Sequence, residues 1–233
     1  MPLPTLTLPK YQIEVPSTGK TISFRPFVVK EEKVLLIALE SNQHSMIARA
    51  IKDIVKECTF GEVDVEQSPI FDLVYLFINI RAKSVGETTE PIFLCQNPKC
   101  GKENPVEINL TKIKVKKLKE HTNKISLGEN LGVVLNYPKL NTEDSNQEFN
   151  NSTINTISEC IDLIYQGDEV FKASEQTEEE LIEFVENLTH RQFESILNFF
   201  NTMPTITYDV KFNCVKCQEE TQLELEGLGD FFL

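Results

Sequence analysis

Apolar and polar positions change period several times along the chain, and each change marks an element. Tyr11, Ile13 and Val15 alternate with Gln12 and Glu14, a Pro-Ser-Thr-Gly-Lys run follows, and Ile22 and Phe24 resume the alternation. That pattern predicts a β-hairpin in which Gly19 takes a backbone angle other residues avoid. Beyond the Arg25-Pro26-Phe27 corner, Leu35, Leu36 and Leu39 recur at helical spacing with Glu31, Glu32 and Lys33 outside, so Val28 to Glu40 reads as a helix. A second helix runs from about Ser45 to Cys58. Ser68-Pro69 then predicts an N-cap followed by proline at the first helical position. The helix it opens, Ile70 to Ile80, is apolar almost all round, as expected of one covered by its neighbours, and Arg81 and Lys83 suit its C-terminal dipole. Gly86 marks the exit.

Helical spacing then gives way to strand, knuckle, strand: Pro-Ile-Phe-Leu, Cys-Gln-Asn-Pro-Lys-Cys-Gly-Lys, Pro-Val-Glu-Ile-Asn-Leu, all between Glu90 and Leu110. The far end repeats the plan, with alternation from Thr205 to Phe212, a Cys-Val-Lys-Cys turn, and alternation again from Thr221 to Glu226. Between them, Asn141 to Ser152 is polar and reads as a linker or loop, and Ile154 to Tyr165 reads as a helix ending at Gly167. Thr177 with Glu180, and Thr189 with Gln192, form two capping boxes that open helices running through Leu188 and up to Pro204. The fold class is therefore α+β: helical lobes around a small antiparallel, zinc-ribbon-like β unit built from two distant knuckle hairpins. Three regions follow: 1–86, an N-terminal hairpin with a helical lobe; 87–140 with 204–233, a discontinuous β unit; and 141–203, the polar linker and inserted helices.

With 233 residues, 40% of them hydrophobic and 25% charged, the chain has the composition of an ordinary folded protein. Its formal charge of -13 and pI of about 4.8 argue against nucleic acid as a partner, since phosphate backbones are held by clustered Lys and Arg. No apolar run approaches the roughly 18 residues of a membrane span, and Met-Pro-Leu-Pro lacks the basic and apolar regions of an export signal. The expected compartment is a cytoplasm, with no membrane partner.

A reducing compartment turns attention from disulfides to metal. Of six cysteines, Cys58 shares a helical face with Ile47, Ile51, Ile54 and Val55, and Cys160 with Ile157, Ile161 and Ile164, which marks both as core thiols. The remaining four form Cys95-x4-Cys100 and Cys214-x2-Cys217. Two short cysteine loops curling round one ion are what a tetrahedral zinc site requires, so Cys95, Cys100, Cys214 and Cys217 are the expected ligands of one structural Zn²⁺ per chain. Gly101 relieves the turn beneath the metal, and Lys99, Lys102 and Lys216 offset the surplus negative charge of four thiolates around a divalent ion. A redox dithiol or chance pairs are the alternatives, though strand patterns follow both pairs where a reactive dithiol needs a helix N-terminus. Iron in a rubredoxin-like cage uses the same ligands.

Weaker features frame the rest. The strip from Thr111 to Glu120 carries five lysines, read either as a dock for an acidic partner or as an edge strand with Ile113 and Val115 inward and lysines blocking unwanted pairing. The apolar end Phe231 to Leu233 packs either on this chain or on a partner. His44, His121 and His190 are scattered with no nucleophile motif or phosphate loop nearby, so no catalytic residues are expected.

Residues 8 to 41, with their Pro-Ser-Thr-Gly-Lys turn, Phe-Arg-Pro-Phe corner and Lys-Glu-Glu-Lys run, resemble the opening of the baseplate hub subunit family of T-even-like contractile-tailed bacteriophages. The cysteine knuckles resemble those of its marine members. The resemblance implies a component or assembly factor of the tail baseplate hub, in the virion and in the host cytoplasm during assembly, with other hub and tail proteins as partners. Self-association is left open. The rival class is a zinc-ribbon regulator of transcription or nucleic acid, which requires a basic face.

Overall fold

Every strand pair among the described residues is antiparallel, and with six helices these small sheets make the protein α+β. The computed structural model describes residues 7–41, 43–140 and 149–226. In chain order the elements are β1 (Tyr11–Glu14), β2 (Thr21–Phe24), α1 (Val29–Ser41), α2 (His44–Cys58), α3 (Ile70–Ser84), β3 (Thr88–Thr89), β4 (Ile92–Leu94), β5 (Glu103–Pro105), β6 (Ile108–Asn109), β7 (Lys114–Lys116), β8 (Lys124–Ser126) and β9 (Leu131–Leu135). They continue with α4 (Phe149–Cys160), β10 (Ile161–Gln166), β11 (Glu169–Lys172), α5 (Glu178–Glu186), α6 (His190–Thr202), β12 (Thr205–Asn213) and β13 (Glu220–Glu226). Two compact units result: Met1–Lys116 with Leu140–Thr142 and Thr205–Leu233, and Lys117–Lys139 with Glu143–Pro204.

In the first unit α3 is the covered helix its sequence foretells, with Leu73, Leu76, Ile78 and Ile80 all buried. Its core joins Ile22 and Phe24 of the first hairpin to Ile51, Ile54, Val55 and Cys58 of α2. A buried carboxylate ties the hairpin down: Asp72 of α3 accepts from the Ser17 backbone N–H at 3.0 Å and from the Ser17 hydroxyl. Gly19 turns with φ 70°. Arg25 reaches Glu31 with both guanidinium nitrogens, at 2.8 and 3.2 Å, while Glu31 accepts the Val28 N–H at 2.6 Å and so caps α1. The Phe-Arg-Pro-Phe corner and the Lys-Glu-Glu-Lys run are thus halves of one joint.

Two expectations at helix ends change. Ser68 does not cap α3: its hydroxyl donates to the Asp64 carbonyl at 2.7 Å, and Pro69, whose carbonyl receives the first helical N–H groups, occupies the cap position. The polar segment expected at 141–152 is helical from Phe149, where α4 begins; its other residues lie outside the described ones.

The second unit is a four-stranded sheet, β11-β10-β9-β8, with α4, α5 and α6 contributing Ile157, Val185, Ile196 and Phe199 to its core. Here the helix expected from Ile154 to Tyr165 is corrected: it ends at Cys160, and Ile161–Gln166 is β10. The apolar run Leu131–Leu135 supplies one strand partner and Glu169–Lys172 the other, so pairing on both sides overrides the helical period. Gly167, at φ 60°, turns that hairpin rather than ending a helix. Because β8 and β9 belong to this sheet, residues 117–139 lie in the second unit and not with the β unit of 87–116, where sequence grouping put them. No helix of the described residues is long and apolar enough to cross a membrane.

Candidate metal centre

Two hairpins from distant parts of the first unit bring the four cysteines together. In the first, β4 pairs with β5, and the knuckle between them is closed by a Cys95 N–H to Lys102 carbonyl bond of 2.9 Å. In the second, β12 pairs with β13 through seven residue pairs, and a Cys214 N–H to Glu219 carbonyl bond of 2.9 Å closes the knuckle at the matching position. The residue after the second cysteine has a positive φ in each, 55° at Gly101 and 61° at Gln218. Phe93 and Phe212, each two places before the first cysteine of its knuckle, stack with centroids 6.1 Å apart. The repeat seen in the sequence is therefore a repeat in structure.

The four Sγ atoms all lie within 4.8 Å of one another. Cys95 Sγ is 3.6 Å from Cys217 Sγ, and Cys100 Sγ is 3.8 Å from Cys214 Sγ. Disulfide sulfurs sit about 2.05 Å apart, so these thiols are not bonded in pairs. A tetrahedron with Zn–S of about 2.3 Å has sulfur edges of roughly 3.8 Å, and the Cys95–Cys217 and Cys100–Cys214 separations fit that figure.

Charge is prepared on one side of the cluster. Backbone N–H groups of Cys217 and Lys216, the latter 3.5 Å from the sulfur, bring the Cys214 thiol down to about 6. The Cys95 thiol receives the Asn97 N–H, but burial and the three neighbouring sulfurs outweigh it and push the group up to about 12. Sulfurs this close cannot all ionise without a cation, and the chain's donor set, four thiols with N–H groups aimed at them, fits a soft divalent metal. Lys99, Lys102 and Lys216 are exposed around the rim.

Asn104 is the residue sequence reasoning missed. It is 1% exposed on β5, its amide donates to the carbonyls of Lys102 at 2.8 Å and Phe93 at 3.4 Å, and its Oδ1 accepts the Val215 N–H of the other knuckle at 2.9 Å. Asn97 adds a second strut, donating to Glu219 at 2.6 Å. The sequence carried no signal for it, because Asn104 precedes the strand read from Pro105 onward, and only the structure places it in β5.

A family model for the T4 bacteriophage base plate protein matches residues 8–233. The chain belongs to that family. No curated protein and no solved structure matches it.

Other features of this base plate protein are not members of the cluster. Cys58 and Cys160 are buried, and desolvation pushes both thiols up to about 12, as expected of core cysteines. The lysine strip contains β7, an edge strand of the sheet β13-β12-β7, with Ile113 buried and Lys116 paired to Glu224 at 2.9 Å. His121 and His190 lie in the second unit and His44 opens α2 in the first; His190 faces Glu194 at 3.4 Å. The apolar end Phe231 to Leu233 lies outside the described residues.

Proposed function

We propose that this chain is a component or assembly factor of the tail baseplate hub, acting through contacts with other hub and tail proteins and held together by one structural zinc on Cys95, Cys100, Cys214 and Cys217. Family membership makes it a phage baseplate protein of the virion tail, and a structural, non-enzymatic role is the one that fits that family. The observation that carries the zinc reading is the sulfur spacing, 3.6 and 3.8 Å, at the edge length of a tetrahedral thiolate site. The metal would supply a cross-link between chain segments and no reaction, with Asn104 and Asn97 aligning the knuckles that hold it.

The hub assignment rests on the corner and turn motifs of residues 8 to 41, which form the Arg25–Glu31 joint and the Asp72-anchored turn. The rival reading as a zinc-ribbon regulator needs a basic face, and the lysine strip is an edge strand whose Lys116 is paired to Glu224 in a chain of net charge -13. The test is co-purification with the hub and tail proteins of the same phage, together with a search for the chain in purified tails. Retention by a hub protein is expected. Failure to bind any of them, with absence from tails and normal tail assembly when the gene is deleted, contradicts the proposal.

A further inference from the structure

Two helices of the first unit carry apolar residues on both sides, and a helix of that kind needs cover on both. α3 has it, with buried residues all round. α1 packs one face inward, where Ala38 is buried and Leu35 and Leu39 are half-buried. Its opposite face presents Val29, Leu36, Ile37 and Val34, exposed at 77%, 53%, 49% and 45%. Among the described residues nothing covers that second face. Lys33 and Glu40 stand in the middle of it: seven residues apart, they lie within about 20° of each other around the helix, with Leu36 on one flank and Ile37 on the other. Two turns, about 10.5 Å of rise, keep them from pairing with each other, and the positions three and four residues away within α1 hold no opposite charge. Neither has an ion-pair partner among the described residues.

This face is complementary to itself. A second α1 laid antiparallel on the first, about a two-fold axis that passes between the helices at the level midway from Leu36 to Ile37, brings Lys33 of each copy opposite Glu40 of the other, because the two residues stand equally far from the axis on either side. The axis lies in the contact plane and perpendicular to both helices, so each flank meets its own counterpart: Leu36 packs on Leu36 and Ile37 on Ile37. A parallel two-fold pair would instead oppose Lys33 to Lys33 and Glu40 to Glu40, so charge selects the antiparallel direction.

We propose that the outer face of α1 is a homotypic docking surface, on which a second copy of this chain lays the same face antiparallel, with two Lys33–Glu40 ion pairs bracketing an apolar centre of Leu36 and Ile37. The 13 residues of α1 span about 20 Å, a small contact beside a standard interface of about 1,600 Å². The dimer is therefore weak, on the order of micromolar or above, and is strengthened where a larger assembly holds the copies together.

The experiment uses the full chain in sedimentation velocity runs across a concentration series, with melting temperature measured at the dilute end. Wild-type protein is expected to shift from monomer to dimer as concentration rises. Lys33→Glu and Glu40→Lys each place like charges at both ion-pair positions, and each alone is expected to lose the dimer while melting as wild type does, since both residues are exposed. An equimolar mixture of the two variants restores both pairs and is expected to regain a one-to-one dimer. Leu36→Gln is expected to lose the dimer with melting unchanged. Wild-type protein that stays monomeric throughout, single charge variants that dimerise as wild type does, or a mixture that does not recover the dimer would each overturn the proposal. A Leu36→Gln chain that melts well below wild type as a dilute monomer would also overturn it, because the face would then be covered by the chain itself.

Discussion

Asn104 is where the two knuckles meet. Its side chain has one acceptor and two donors, and all find backbone partners: the amide N–H groups bond carbonyls of its own hairpin, and Oδ1 accepts from Val215 of the other, to which β5 is not paired as a strand. Replacing it with alanine strands the Lys102 carbonyl and Val215 N–H and is expected to cost about 1–3 kcal/mol. Thermal melting measures that loss, and transfer of metal to a coloured chelator is expected to speed up in the same variant. A second buried polar group lies in the other unit. His121 packs against Phe199 and Tyr137, with Nδ1 3.0 Å from the Thr202 hydroxyl and Nε2 buried without a partner among the described residues. Burial lowers its pKa below the ordinary 6.5, so the unfolded chain takes up the proton first as pH falls. Stability present above pH 6.5 is therefore lost below it, down to the folded value, and His121→Phe is expected to flatten the fall of melting temperature as pH drops below 6.5. The four cysteines were legible because ligand spacing is local. Asn104 was not, because its role depends on a partner more than a hundred residues away.

Among the elements, those set by local chemistry were readable and those set by pairing were not. Thr177 and Glu180 form the capping box that opens α5, at 3.3 and 2.8 Å. At α6 the capping box of Thr189 and Gln192 is present too: Gln192 accepts the Thr189 N–H at 2.9 Å, and its amide goes on to the Leu127 carbonyl at 2.8 Å. β10 escaped because its apolar residues satisfy a helical period as well as a strand period, and only β9 and β11 on its flanks decide between them. A glycine in β9 reports how closely that sheet is packed. A Cβ on Gly132 would lie 2.1 Å from Tyr165 Oη and 2.6 Å from the Ile125 carbonyl, so neither a side chain nor a backbone could remain in place. Gly132→Ala is expected to destabilise the protein by about 1–3 kcal/mol in urea unfolding, more than an exposed glycine such as Gly128, which has open space, would cost.

At the level of the whole chain, one ion would bind segments 114 and 122 residues apart and close the loop that contains the entire second unit. Metal affinity then becomes folding free energy for the first unit, whose knuckles have little apolar core of their own. Ile92, Leu94 and Val215 around the knuckles are exposed, while the stacked Phe93 and Phe212 and the asparagine struts join the two hairpins alongside the thiols. A strong chelator is therefore expected to lower the melting temperature and broaden the transition, which calorimetry with and without chelator would show. The most direct test is X-ray absorption at the zinc edge on protein purified without added metal. The account predicts about one zinc per chain with four sulfur neighbours at about 2.3 Å, and a Cys214→Ser variant that loses metal. Folded protein without metal, or a metal shell of nitrogen and oxygen that Cys214→Ser leaves unchanged, would contradict it.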